Sequence, residues 1–135
     1  MFDEEEVRSQ IASYDTALIQ VVSRSPSPAH TVHAAESVES WANEGAASRF
    51  ANLAPGVVFE PGDMFVKTHH DESGERVAVF AMVKREPGYD TNAGGWWWAN
   101  LGPDASLEVE SGALAFCADC HQQWAPDTDL VLGIE

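Results

Sequence analysis

Apolar residues recur at Val7, Ile11, Tyr14, Leu18 and Val21 or Val22, in steps of four, three, four and three or four. That spacing lines one side of a helix and predicts an amphipathic helix within residues 3–23. Ser25-Pro26-Ser27-Pro28 ends it, because a proline pushes the preceding residue out of the α region. A second helix is expected over residues 31–52. There Ala34, Val38, Trp41, Ala42 and Ala46 form one apolar line, with Glu36, Glu39 and Glu44 off it. Ala54-Pro55-Gly56 closes that stretch.

The pattern then changes to short runs rich in valine and phenylalanine, at residues 56–59, 64–69 and 77–84. Pro61-Gly62-Asp63 and Asp71-Glu72-Ser73-Gly74 separate them, and such clusters mark turns between strands. The second turn predicts a hairpin joining 64–69 to 77–84. Pro87-Gly88 is a further turn, and Gly94-Gly95 leads into a strand over 96–101. Ser111 is placed to cap a short helix near the C-terminus. No internal repeat or low-complexity segment interrupts this order. The predicted class is α+β: a predominantly antiparallel β-sheet with N-terminal helices and a short C-terminal helix. The expected organisation is one domain over 1–135, mainly helical over 1–54, then sheet and the last helix over 55–135.

Composition narrows the options. At 135 residues and 44% apolar, with five tryptophans, the chain can build a core without disulfides and is too aromatic for a disordered segment. No run approaches the roughly 18 apolar residues of a membrane span. Twenty-two acidic residues face seven basic ones, for a net charge of −15. Such a surface repels phosphates, which excludes nucleic acid as a partner. A solvated acidic surface explains the charge, and docking to a basic redox partner is the functional alternative.

The two cysteines stand in Cys117-Ala118-Asp119-Cys120-His121, a C-x-x-C-H motif. This is the attachment signature of c-type haem. Thiols three positions apart lie on adjoining turns of a short helix, where both can add to the haem vinyl groups. The next residue then turns its imidazole to the iron. Two other readings stay open. A zinc site would need further ligands from His30, His33, His69 or His70. A thioredoxin-like pair should follow a strand early in a βαβ unit, whereas this motif lies 14 residues from the C-terminus. Haem attachment implies maturation outside the cytoplasm. Met1-Phe2-Asp3-Glu4-Glu5-Glu6 has neither a positive region nor an apolar run, so the expectation is a periplasmic protein whose leader has been removed. Residues 122–135 contain no Met, His, Cys, Lys or Tyr, so any sixth iron ligand must come from upstream.

Met64-Phe65-Val66-Lys67-Thr68-His69, Ala81-Met82-Val83-Lys84-Arg85, Pro87-Gly88-Tyr89-Asp90, Gly94-Gly95-Trp96-Trp97-Trp98 and the terminal C-x-x-C-H resemble, in that order, the cytochrome P-460 family, which includes cytochrome c′-beta. The resemblance covers residues 55–135. It implies an antiparallel β fold with flanking helices, a five-coordinate haem c with His121 as proximal ligand, and a homodimer. It also implies one of two chemistries. The first is oxidation of hydroxylamine, by way of an iron-nitrosyl, to nitrous oxide at a haem bonded to a lysine, with a redox partner cytochrome taking the electrons. The second is binding of nitric oxide or other gases without the cross-link, under an apolar distal cap.

Lys67 is the candidate lysine, because its strand matches the family's lysine-bearing strand. Strand alternation puts Phe65, Lys67 and His69 on one face. A snorkelling surface lysine is the plainer reading of Lys67. Lys84, beside Arg85, reads as a solvated strand end. Glu110 and Glu60 are candidate proton acceptors, against a default of solvated carboxylates. Phe65, with Phe59 and Phe80, could cap a distal pocket or belong to the core. Met64, Met82, His69 and His70 could supply a sixth ligand, which would make the protein a six-coordinate electron carrier. Trp96 and Trp98 should face one way and Trp97 the other.

Overall fold

A computed structural model describes residues 2–26, 37–89, 94–105 and 110–131. Its centre is a six-stranded antiparallel sheet in sequence order, from β1 (Ile19–Pro26) and β2 (Ser37–Ala42) through β3 (Met64–His70), β4 (Arg76–Lys84) and β5 (Trp96–Gly102) to β6 (Glu110–Gly112). Helices α1 (Glu4–Ala12) and α2 (Tyr14–Ala17) precede the sheet. α3 (Glu44–Ala51) follows β2, and α4 (Ala115–Trp124) follows β6. The α+β class predicted above is therefore what the chain adopts.

Asp3 starts α1 by accepting from the backbone N–H groups of Glu5 (3.1 Å) and Glu6 (3.2 Å). Three glutamates in the first turn add a favourable interaction with the helix dipole. Val7, Ile11, Tyr14 and Leu18 pack on the sheet as their spacing predicts. The backbone is not one helix, however. It breaks at Ser13 and enters β1 at Ile19, so residues 19–23 are strand where the periodicity predicts helix. The second predicted helix is also corrected. Residues 37–42 alternate between faces as β2, and Glu44–Ala51 is helical, so the described residues of the 1–54 stretch divide between helix and strand. The stretch 31–36 lies outside the described residues. Val38, Ala42 and Ala46 mimic helical spacing because a strand and the helix after it contribute to one buried line, while Trp41 faces the other side of the sheet with Tyr14.

Asn43 makes that junction. Its Oδ1 accepts from Ala46 N and Met64 N, both at 3.2 Å, and its Nδ2 donates to the Gly62 carbonyl at 2.8 Å. The β3–β4 hairpin is as predicted, closed by Asp71, whose Oδ1 accepts from Ser73 N (2.9 Å) and Glu75 N (3.0 Å). Residues 56–59 form no strand, and Ser111 lies in β6 rather than capping α4, whose N-cap is Leu114.

The sheet buries both faces. Met64, Val66, Val79, Ala81, Val83, Trp97 and Ala99 face α1. Phe65, Met82, Trp96 and Trp98 face the opposite side, toward α3, α4 and the segment after α4. The alternation expected for the three tryptophans thus holds, and the C-x-x-C-H helix lies on the side of Trp96 and Trp98.

Candidate functional site

The register of the sheet decides which side chains share the face under α4. Lys67 stands between Ser40 on β2 and Phe80 on β4, and Phe65 between Ala42 and Met82. Phe80 in turn faces Asn100 on β5, Met82 faces Trp98, and Lys84 faces Trp96. The face therefore has two zones. One is aromatic: Phe65 meets Phe59 at 5.4 Å, Phe50 at 5.7 Å and Trp96 at 6.4 Å between ring centroids. The other carries Ser40, Lys67, His69, Phe80 and Asn100, with the buried His69 ring edge-on to Phe80 at 5.5 Å.

α4 lies over this face with Ala118 buried and Cys117 packed against the apolar cluster, while Cys120 is exposed. Burial pushes the Cys117 thiol up to about 11, helped by the nearby Glu110 carboxylate and Cys120. A redox-active C-x-x-C needs the opposite, a thiol whose pKa is lowered so that the thiolate dominates. The thioredoxin-like reading loses its chemical basis here. Nor does a zinc site assemble: among the described residues no three His, Cys, Asp or Glu side chains gather to hold a metal ion. His30 and His33 lie outside the described residues.

His121 is the most constrained polar group of the motif. Its ring meets Trp98 at 4.8 Å, edge-on, and its Nδ1 lies 2.7 Å from the carbonyl oxygen of Leu130. A carbonyl only accepts, so Nδ1 carries the proton and Nε2 carries the lone pair. That is the second-shell arrangement of a metal-ligating histidine, in which the bond at one nitrogen fixes the tautomer and raises the basicity of the other. The donor set fits a haem c: two thiols and a pre-tautomerised imidazole on one helix, above a face rich in aromatic side chains.

Lys67 is half-buried in β3. Desolvation lowers its pKa from 10.5 to about 8, with Cys120 near enough to offset part of the effect. No salt bridge joins it to an acid among the described residues. It shares the α4 side of the sheet with Phe65, as strand alternation predicts. Glu110 is exposed at the start of β6, close enough to Cys117 to influence its titration. Glu60 is not brought to the site; its side chain is 70% exposed and pairs with Arg49 at 3.2 Å. Met64 and His70 point to the α1 side. His70 Nε2 bonds there to Thr68 Oγ1 at 2.9 Å, so only Met82 and His69 of the suggested sixth ligands share the face of Lys67.

Lys84 corrects the sequence reading most sharply. It is not a solvated strand end: its ammonium holds both carboxylate oxygens of Asp129, at 2.9 and 2.8 Å, with the two side chains only 14% and 16% exposed. Asp129 Oδ2 also accepts from Phe59 N (2.9 Å), and the Asp129 carbonyl accepts from the Trp96 indole N–H (3.0 Å). Asp129 and Leu130 both have left-handed backbones, with φ of 54° and 67°. For residues other than glycine this costs roughly 1–2 kcal/mol each, so these contacts must hold the turn in place. Across from it Gly94, at φ 70°, admits Leu130, because any Cβ there would collide with Leu130 Cδ1. Sequence reasoning missed Asp129 and Leu130. Lys84 was legible only through register, which puts it on the face of Met82, and Leu130 contributes a backbone atom that leaves no side-chain signal.

No protein-family model matches the chain, and no curated protein matches it. No described helix is long and apolar enough to cross a membrane.

Proposed function

We propose that this chain is a mono-haem c-type cytochrome of the P-460 kind that oxidises hydroxylamine to nitrous oxide. In this reading Cys117 and Cys120 are the thioether attachment points, His121 Nε2 is the proximal iron ligand and Lys67 is the porphyrin cross-link. The observation that supports it is the position of Lys67, half-buried on the sheet face under α4 and near Cys120, where desolvation lowers its pKa to about 8. Desolvation leaves a usable fraction of neutral amine near neutral pH, and only the neutral amine can form a bond to carbon. Haem supplies the redox chemistry and the open coordination position when bound. Leu130 sets the tautomer of His121. Phe65 and its aromatic neighbours keep water from the adjoining face, and Glu110 is placed at the edge to take protons toward solvent. A periplasmic homodimer delivering electrons to a partner cytochrome completes the proposal.

Phe80 favours a second reading. It stands directly across from Lys67 and is only partly buried, so an apolar side chain is available to cover a gas-binding position without any cross-link. Absorption spectra of the ferric and reduced holoprotein, followed by denaturation in alkaline pyridine, separate the two. A reduced Soret band far to the red, a pyridine spectrum unlike that of ordinary haem c, and reversion of both in Lys67→Ala are the expected results. An ordinary haem c spectrum in the wild type with a five-coordinate native haem would leave nitric oxide binding. A six-coordinate low-spin spectrum would leave electron transfer, and absence of covalent haem would end both.

A further inference from the structure

We propose that Lys84 and Asp129 are positioning residues for His121, acting through the backbone of Leu130. The inference rests on the haem reading of the motif and assigns a role to two residues outside it. His121 Nδ1 donates to the Leu130 carbonyl, and that carbonyl points at the ring only because residues 129 and 130 take consecutive left-handed conformations. The carboxylate and the carbonyl of Asp129 both hold that turn. Its carboxylate takes the Lys84 ammonium from β4 and the Phe59 N–H from the 53–63 loop, and its carbonyl takes the Trp96 indole from β5. Lys84 also lies 5.1 Å from the centre of the Trp96 ring, so its charge is held on two sides. The turn is closed locally by Leu130 N donating to the Ala125 carbonyl (3.0 Å) and by Thr128 Oγ1 donating to the Val131 carbonyl (2.8 Å). The sheet thus fixes the proximal imidazole through a chain of contacts from β4 to the segment after α4.

A buried ion pair is weak evidence of stability by itself, since desolvation offsets much of its attraction. Its geometric effect is the testable part. A strong Nδ1–H···O=C bond makes the imidazole a better donor to iron, and loosening it weakens the iron–histidine bond and raises the reduction potential. In Asp129→Ala and Lys84→Met, the iron–histidine stretch of the ferrous haem, read by resonance Raman, should move to lower wavenumber and the midpoint potential should rise. Lys84→Arg should restore both toward the wild type. Arg76→Leu, which removes the bonds from Arg76 to the Pro103 carbonyl and Tyr14 Oη on the α1 side of the sheet, is the control for stability alone and should move neither. Unchanged stretch and potential in both variants, with haem still attached, would overturn the positioning role and leave the haem reading intact. Wild-type protein without thioether-linked haem would overturn the haem reading instead. The positioning claim is then decided by the imidazole 15N shifts of the haem-free chain at alkaline pH. Those shifts should report a single Nδ1-protonated tautomer for His121 in wild type and a tautomer mixture in Asp129→Ala; the same tautomer in both would refute it.

Discussion

Lys67 is the residue on which two functions divide, and its titration offers a test independent of colour. Below about pH 8 the folded, haem-free chain holds a desolvated ammonium that the unfolded chain holds in water, so Lys67 opposes folding there. Between about 8 and 10.5 the unfolded chain binds more protons, and the free energy of unfolding rises with pH; above 10.5 the effect is flat. Allowing for partial exposure, the rise should be about 1–3 kcal/mol. The difference in urea unfolding free energy between the haem-free wild type and Lys67→Met should show that slope, since the opposing contribution of Cys117 is common to both, and Lys67→Met should be the more stable at neutral pH. In a holoprotein whose Lys67 is bonded to porphyrin the amine no longer titrates, so the slope should vanish without mutation. A holoprotein that keeps the slope would speak for the uncross-linked reading. Cys117 shows the same physics with the opposite sign: burial disfavours its thiolate and raises its pKa to about 11, so its contribution to stability falls as pH rises through that range.

At the scale of elements, Asn43 joins β2, α3 and β3 with one side chain, and its loss should be felt at three places at once. Asn43→Ala removes the cap of α3 and the partners of Met64 N and the Gly62 carbonyl. The expected cost is about 1–2 kcal/mol in urea unfolding with an unchanged slope. An unchanged midpoint would mean that water replaces all three bonds. The same junction explains what was legible in the sequence. Side-chain periodicity identified which residues are buried, since Val7, Ile11, Leu18, Val38, Ala42 and Ala46 are all core. It misassigned the backbone where strand and helix meet, because apolar residues from two elements imitate one helical stripe. The hairpin of β3 and β4 and the strand of the three tryptophans were legible because glycine, proline and aspartate marked their ends. In the site, the motif and the facing of Phe65 and Lys67 could be read from spacing alone. The Lys84–Asp129 pair could not, since it joins residues 45 positions apart through a left-handed turn with no glycine to announce it.

For the whole molecule, the governing quantity is the net charge of −15. Its seven basic residues are Arg8, Arg24, Arg49, Lys67, Arg76, Lys84 and Arg85. Among the described residues four form ion pairs: Arg8 with Glu4, Arg49 with Asp63 and Glu60, Lys84 with Asp129, and Arg85 with Glu86. Arg76 instead donates to the Pro103 carbonyl and to Tyr14 Oη, and the half-buried Lys67 has no ion-pair partner among the described residues. The 22 carboxylates outnumber these cations about three to one, and folding concentrates their mutual repulsion. Salt acts on the two populations in opposite directions, weakening exposed pairs and relieving repulsion, and the repelling population is the larger. Screening lengths fall from about 30 Å at 0.01 M to about 3 Å at 1 M, which shortens the repulsion from molecular to contact range. The thermal midpoint should therefore rise steadily with sodium chloride over this interval. The Lys84–Asp129 pair, largely enclosed, should be little affected, so the iron–histidine stretch should stay constant as the midpoint climbs. A midpoint that falls with salt would show that the few ion pairs outweigh the acidic surface. A stretch that drifts with salt would show that the turn behind His121 is held by exposed charge rather than by the buried contacts of Asp129.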